Sequence, residues 1–168
     1  MRRSLLLLAT IALGVLMVSS VALALNRISC QPDAFLCEGT TGDDSMSGTA
    51  GYDNMHGGLG NDKLNGYGGG DDLTGDEYGE VPGNDTLNGG GGNDFLGDWA
   101  GTNTLNGGAG SDTFFADYGE ISNISGGSGN DYVYAADGAK DTISCGAGHD
   151  VVSNYDPGLD VLRGCEES

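Results

Sequence analysis

Positive charge is what this chain has least of. Six lysines and arginines stand against 25 aspartates and glutamates in 168 residues, a formal net charge of -19. Two of the six, Arg2 and Arg3, lie in a leader-like segment, and beyond it only Arg27, Lys63, Lys140 and Arg163 remain. So acidic a polymer repels nucleic acid and anionic membrane surfaces, which argues against both as partners. Histidine is scarce as well. His56 and His149 stand far apart, no H-E-x-x-H contains them, and there is no G-x-S-x-G. Nothing resembles a catalytic constellation, so the chain reads as a non-enzyme. No C-x-x-C occurs among Cys30, Cys37, Cys145 and Cys165, which disfavours zinc and leaves disulfides as the reading of the cysteines.

What is abundant opposes folding. Thirty-three glycines each lose more backbone freedom on ordering than other residues do. Together with the surplus of acid they place the chain close to the disordered class, so something must neutralise the carboxylates before it can fold. The start of the chain is different in kind. Arg2 and Arg3 precede an apolar run from Leu5 to Val18, followed by Ala22-Leu23-Ala24. This is the layout of a secretory signal peptide, which predicts cleavage after Ala24 and export; the alternative is an uncleaved membrane anchor, since Leu5 to Leu25 approaches spanning length. The expected organisation is a signal at 1–24, a cap at 25–38, a repeat domain at 39–163 and a tail at 164–168.

Period nine dominates the rest. Gly48-Thr49-Ala50-Gly51-Tyr52-Asp53-Asn54-Met55-His56 is followed by Gly57-Gly58-Leu59-Gly60-Asn61-Asp62-Lys63-Leu64-Asn65, and Gly66 to Thr74 keeps the register. The pattern is G-G-x-G-x-D-x-U-x, with U a large apolar residue. Thirteen rows can be laid out, starting at Gly39, Gly48, Gly57, Gly66, Glu80, Gly89, Asp98, Gly107, Asp117, Gly126, Ala136, Cys145 and Tyr155. Five residues, Gly75 to Gly79, interrupt it, and single extra residues are placed at Ala116, Ala135 and Asn154. The eighth place tests the register independently. It reads Met46, Met55, Leu64, Leu73, Leu87, Leu96, Leu105, Phe114, Ile124, Val133, Ile143, Val152 and Leu162, apolar without exception.

These rows resemble the haemolysin-type, or RTX, calcium-binding nonapeptide repeats. The resemblance covers roughly Gly39 to Arg163. It implies an all-β fold, a parallel β-roll (a right-handed β-solenoid) of about six coils, with two sheets of short strands and calcium-binding turns at both edges. The chemistry is consistent. Glycines at the first, second and fourth places let a turn bring carbonyl oxygens together, and calcium takes about six to eight oxygen ligands. The implied metal ligands are Asp53, Asp71, Asp94, Asp112, Asp131 and Asp150 on a regular edge, and Asp44, Asp62, Asp85, Asp141 and Asp160 on the other. The second edge also carries Asn103, Ser122, Glu120 and Ala139 at places where the pattern has Asp or Gly. Weak or absent calcium is expected there, with Asp117, Asp137 and Asp156 as alternative ligands. The pairs Asp43/Asp44 and Asp71/Asp72 are explained by this register, one member of each being a ligand.

One apolar residue per row makes a thin core, so calcium must contribute to stability. A site of about 0.1 mM affinity at about 1 mM calcium adds roughly 1.4 kcal/mol, and eight independent sites on the order of 11 kcal/mol. The chain is therefore expected to be largely unfolded without calcium and to act as a secreted, extracellular, monomeric calcium-binding protein. In the implied fold, coils stack at about 4.8 Å, which predicts Cys145–Cys165 as a pin on the last coil and Cys30–Cys37 as closure of the N-terminal cap. Phe95, Phe115, Tyr132, Tyr134 and Val151 flank the core position on one sheet. They either pack across strands or offer a glycan or protein partner a docking face.

Overall fold

The computed structural model describes residues 26–31, 36–76, 83–116 and 122–166. The signal segment 1–24, the row start Glu80, and Asp117 and Glu120 lie outside the described residues. Among the described residues there is no helix, and so none long and apolar enough to cross a membrane.

The described residues contain fifteen strands, wound into two parallel sheets. The first contains β1 (Asn26–Ser29), β3 (Asp44–Ser47), β5 (Lys63–Gly68), β7 (Thr86–Gly91), β9 (Thr104–Ala109), β11 (Asn123–Ser128), β13 (Thr142–Ala147) and β15 (Val161–Arg163), in that spatial order. The second contains β2 (Cys37–Glu38), β4 (Asn54–His56), β6 (Asp72–Thr74), β8 (Phe95–Asp98), β10 (Thr113–Ala116), β12 (Tyr132–Ala135) and β14 (Val151–Tyr155). Successive strands alternate between sheets, so each parallel neighbour is reached after a full turn. This is the parallel β-roll expected from the repeat.

Alternation along each strand decides what is buried. The eighth-place residue points inward and its neighbours do not, as β-strand geometry requires. Met46, Leu64, Leu87, Leu105 and Ile143 of the first sheet, and Met55, Leu73, Leu96, Phe114 and Val133 of the second, are fully buried. Register follows the period: Leu87 pairs with Leu105, Ile124 with Ile143, Phe114 with Val133. Each such side chain contributes about 1.5–3 kcal/mol. Of the eighth-place residues, Leu162 in the last coil is left partly buried at the rim of the core, as is Ile28 at the other end.

Three features depart from the nine-residue reading. First, the roll begins before Gly39. β1 pairs with β3 and β2 with β4, setting Ile28 beside Met46 and Cys37 beside Met55. The N-terminal cap is thus itself a coil, closed by the Cys30–Cys37 disulfide with its Cα atoms 5.7 Å apart. Second, five interior strands of the first sheet are six residues long and run into the glycine turn, where Gly90 pairs with Gly108 and Gly108 with Gly127. Turns of equal length stack as evenly as strands do, so the regular edge prolongs the sheet. Third, Ala116 pairs with Asp98, and Ala135 with Tyr155 across a register shift. Both alanines therefore occupy the first place of a row, and the extra residues placed there belong later in the chain. Asn154 is accommodated with φ 70°, a conformation Asn tolerates better than most residues. At the far end the Cys145–Cys165 disulfide, with Cα atoms 5.1 Å apart, holds β15 to β13.

Candidate metal centre

Sixth-place aspartates stand immediately before or at the start of the strands, and their side chains turn into the stack. On the regular edge they form a continuous series. The backbone N–H of Asp53 donates to Asp71 Oδ1 at 2.9 Å, that of Asp71 to Asp94 Oδ1 at 2.8 Å, and that of Asp94 to Asp112 Oδ1 at 2.9 Å. Asp112 N–H continues to Asp131 Oδ1 and Asp131 N–H to Asp150 Oδ1. All six are buried. One carboxylate oxygen per turn thus ties neighbouring coils together.

The other oxygen has no donor. Oδ2 of Asp71, Asp94, Asp112 and Asp131 is buried and accepts no hydrogen bond. Each points back over the first glycine of its own row: a Cβ built on Gly66, Gly89, Gly107 or Gly126 would lie 2.1 to 2.3 Å from it. The bare Cα of the first glycine leaves a cradle, and the oxygen facing it is orphaned. Burying an ionised carboxylate in this way is unfavourable unless a cation compensates. The fourth glycine serves closeness between coils. A Cβ on Gly110, whose φ is 136°, would lie 1.7 Å from the carbonyl oxygen of Gly92.

The other edge is built alike but is interrupted. Asp44 N–H donates to Asp62 Oδ1, Asp62 N–H to Asp85 Oδ1 at 2.7 Å, and Asp85 N–H to Asn103 Oδ1 at 2.8 Å. Asn103 thereby replaces aspartate in the coil-to-coil bond, while its Nδ2 donates to the Ala100 carbonyl. The series stops there, at the shorter Ser122, and resumes from Ser122 N–H to Asp141 Oδ1 and from Asp141 N–H to Asp160 Oδ1. Orphaned Oδ2 atoms recur at Asp62, Asp85 and Asp141. Asp160 differs from the other ten predicted ligands. It is only half-buried, and both its oxygens accept from backbone N–H groups, of Asp141 and Asp156. Asp156 in turn accepts from the N–H groups of Asp137 and Gly138, and Asp137 from that of Ala139.

Electrostatics agree with the geometry. Loss of hydration on burial lifts Asp62, Asp71 and Asp112 from 3.8 to about 6 and Asp141 to about 7, partly offset by the backbone N–H each accepts. Asp94 and Asp131 are raised for the same reason. Without a cation these turns hold their protons to higher pH than ordinary carboxylates do.

Four polar residues at these turns were not singled out from the sequence. Thr40 and Thr49, which stand where the repeat pattern has its second glycine, each donate an N–H and a hydroxyl to the Oδ2 of Asp44 and Asp53. Asp76 and Asp98 bring ligand oxygens within 4.8 Å of each other and of Asp85, all three side chains buried. Asp98 stands in a first place usually held by glycine, which was the available signal. On the outer face of the second sheet, Phe115 stacks on Tyr134 with ring centroids 5.3 Å apart and touches Phe95, while Tyr132 meets Tyr134. Trp99, not singled out either, covers Gly97 beside Phe95.

All donors aimed into the turns are oxygens, which suits a hard cation such as calcium better than zinc. The profile of the RTX calcium-binding nonapeptide repeat matches residues 38–73, 82–114, 100–120 and 122–152. No curated protein and no solved structure gives a significant match. The repeat family binds calcium, and its roll is a structural calcium-binding fold rather than a catalytic one. Matched over more than half its length and wound as the repeat requires, the chain belongs to the RTX calcium-binding nonapeptide repeat family.

Proposed function

We propose that this is a secreted calcium-binding protein whose repeats fold when calcium enters their turns. The observation that carries the reading is the row of buried, donor-free Oδ2 atoms at Asp62, Asp71, Asp85, Asp94, Asp112, Asp131 and Asp141. These residues would hold the ions, joined by main-chain carbonyls of the glycine turns, with Asp150 ending the regular edge. Asp53 and Asp160 would contribute least, because threonine donors already engage Oδ2 of the first and backbone N–H groups both oxygens of the second, whereas Asp44 keeps a buried, donor-free Oδ1. The bound ion supplies positive charge where coils stack acid on acid. The roll would occupy 39–163 with its cap at 25–38, after removal of 1–24, and 164–168 would form a tail.

Two disulfides among four cysteines support an oxidising, extracellular setting, where calcium is abundant. The aromatic rings of the second sheet lie against one another, which accounts for them as cross-strand packing, so the proposal stops at calcium. Calorimetric calcium titration of the exported chain, followed by circular dichroism, tests it. Saturable binding of several ions with a gain of β signal is expected; a chain that takes up none at millimolar calcium, or is equally ordered after exhaustive chelation, refutes it.

A further inference from the structure

The break in the repeat at Gly75 to Gly79 has a structural counterpart outside the nine-residue pattern. Asp76 follows β6, Asp85 precedes β7 and Asp98 ends β8, so three separate turns of chain deliver carboxylates to one point. Asp98 faces inward, in the column that the next coil fills with Ala116. Each carboxylate has one oxygen fixed by a backbone N–H: Asp85 Oδ1 by Asp62 at 2.7 Å, Asp98 Oδ1 by Ala100 at 3.2 Å, and Asp76 Oδ2 by Gly83 at 2.5 Å. Oδ2 of Asp85 and of Asp98 accept from no donor, although each side chain is only 2% exposed. They converge on Gly75, where a Cβ would lie 2.4 Å from the first and 2.2 Å from the second.

We propose that Asp76, Asp85 and Asp98 form a three-carboxylate calcium site distinct from the one-carboxylate repeat turns, and the tightest in the chain. It goes beyond the repeat reading, since neither Asp76 nor Asp98 occupies a sixth place. Calcium affinity rises with the number of charged ligands, and three carboxylates on one ion exceed what a repeat row provides. Burial first, and then mutual repulsion, hold Asp98 and Asp85 well above the ordinary carboxylate range, in keeping with the crowding of these side chains at one point. The edge that looks weakest in the sequence thereby carries the densest negative charge.

Trp99, next to Asp98, is the chain's only tryptophan and serves as a local reporter. The full disulfide-bonded chain is titrated with terbium, reading tryptophan-sensitised emission, and its calcium stoichiometry is counted by native mass spectrometry. Asp98→Gly restores the residue most rows have at that place and is expected to fold; Asp76→Asn is a second variant, and Asp131→Asn a distant repeat control. Asp98→Gly and Asp76→Asn should each weaken the first terbium phase at least tenfold, and Asp98→Gly should lower the calcium count by one. Asp131→Asn should leave the first phase unchanged. Retention of that phase in Asp98→Gly, or its equal loss in Asp131→Asn, overturns the proposal. Failure of the repeat turns alone would appear differently, as a single surviving ion that Asp98→Gly removes.

Discussion

Thr49 closes on Asp53 from two directions, its N–H donating to Oδ2 at 2.6 Å and its hydroxyl to the same oxygen at 3.1 Å. In four interior turns of the same edge this oxygen has no donor at all. The difference lies in one residue. Tyr67, Gly90, Gly108 and Gly127 hold the second place of those four rows with φ between 76° and 113°, whereas Thr49 keeps a negative φ and turns its N–H onto the carboxylate. The first turn is therefore satisfied without metal. Thr49→Val should cost about 1.5–3 kcal/mol, the range for a hydrogen bond to a charged group. Thr49→Gly should raise the calcium count by one, because the turn can then adopt the conformation of its neighbours. Native mass spectrometry checks it, and an unchanged count contradicts it.

The raised carboxylates give metal-free chain an unusual pH dependence. Asp62, Asp71 and Asp112 titrate at about 6 and Asp141 at about 7 in the roll, against 3.8 ordinarily. Between these values the unfolded chain has lost protons that the roll retains, so stability falls as pH rises. It is fully present below 3.8 and lost on passing through 6 to 7. Metal-stripped protein should accordingly show more β structure at pH 4 than at pH 8 by circular dichroism. Calcium should reverse the trend, since ions displace the protons. More order at pH 8 than at pH 4 without metal would contradict the assignment of these groups as buried.

Gly110 tests the closeness of the coils. Alanine there combines a φ of 136° with a Cβ 1.7 Å from the Gly92 carbonyl oxygen, so backbone must move. Gly110→Ala should cost at least about 3 kcal/mol, from overpacking and left-handed strain together. Gly42→Ala is the matching control: nothing lies within 4 Å of its Cβ and its φ is not left-handed. Calcium midpoints for folding should shift strongly for the first and hardly for the second. Equal shifts would mean that the fourth glycine is needed for chain flexibility alone.

Much of this architecture was readable from residue identity because the eighth place demands only bulk and apolarity, at a period that turn length fixes. Met46 to Val152 satisfy that demand in every row. The N-terminal coil kept the same signal, with Ile28, Cys37, Met46 and Met55 each nine apart, but lacked the Gly and Asp that draw attention to a row. The break at Asn103 and Ser122 was legible for a simple reason: serine is too short to reach the next coil. The cluster of Asp76, Asp85 and Asp98 was not, because its members are 9 and 13 residues apart in sequence and meet only once the coils stack. Asp98 departs from the pattern at a place where any departure could equally be tolerance.

The last coil is the weakest part of the core, and its disulfide tests how local stability is. Leu162 is only partly buried, and beyond β15 the pairing among the described residues is a single bridge between Val151 and Glu166. Cys145–Cys165 closes a loop with a separation of 20 residues, which constrains the unfolded chain by about 3 kcal/mol. Because β15 pairs with β13 alone, removing the bond should release that strand without unwinding the rest. In the Cys145→Ser/Cys165→Ser double variant, amide hydrogen exchange at saturating calcium should accelerate in residues 155–166. Amides of Leu87, Leu105 and Phe114, several coils away, should keep their protection. Loss of protection throughout would show instead that the roll unfolds as one cooperative unit, with the C-terminal pin holding all of it.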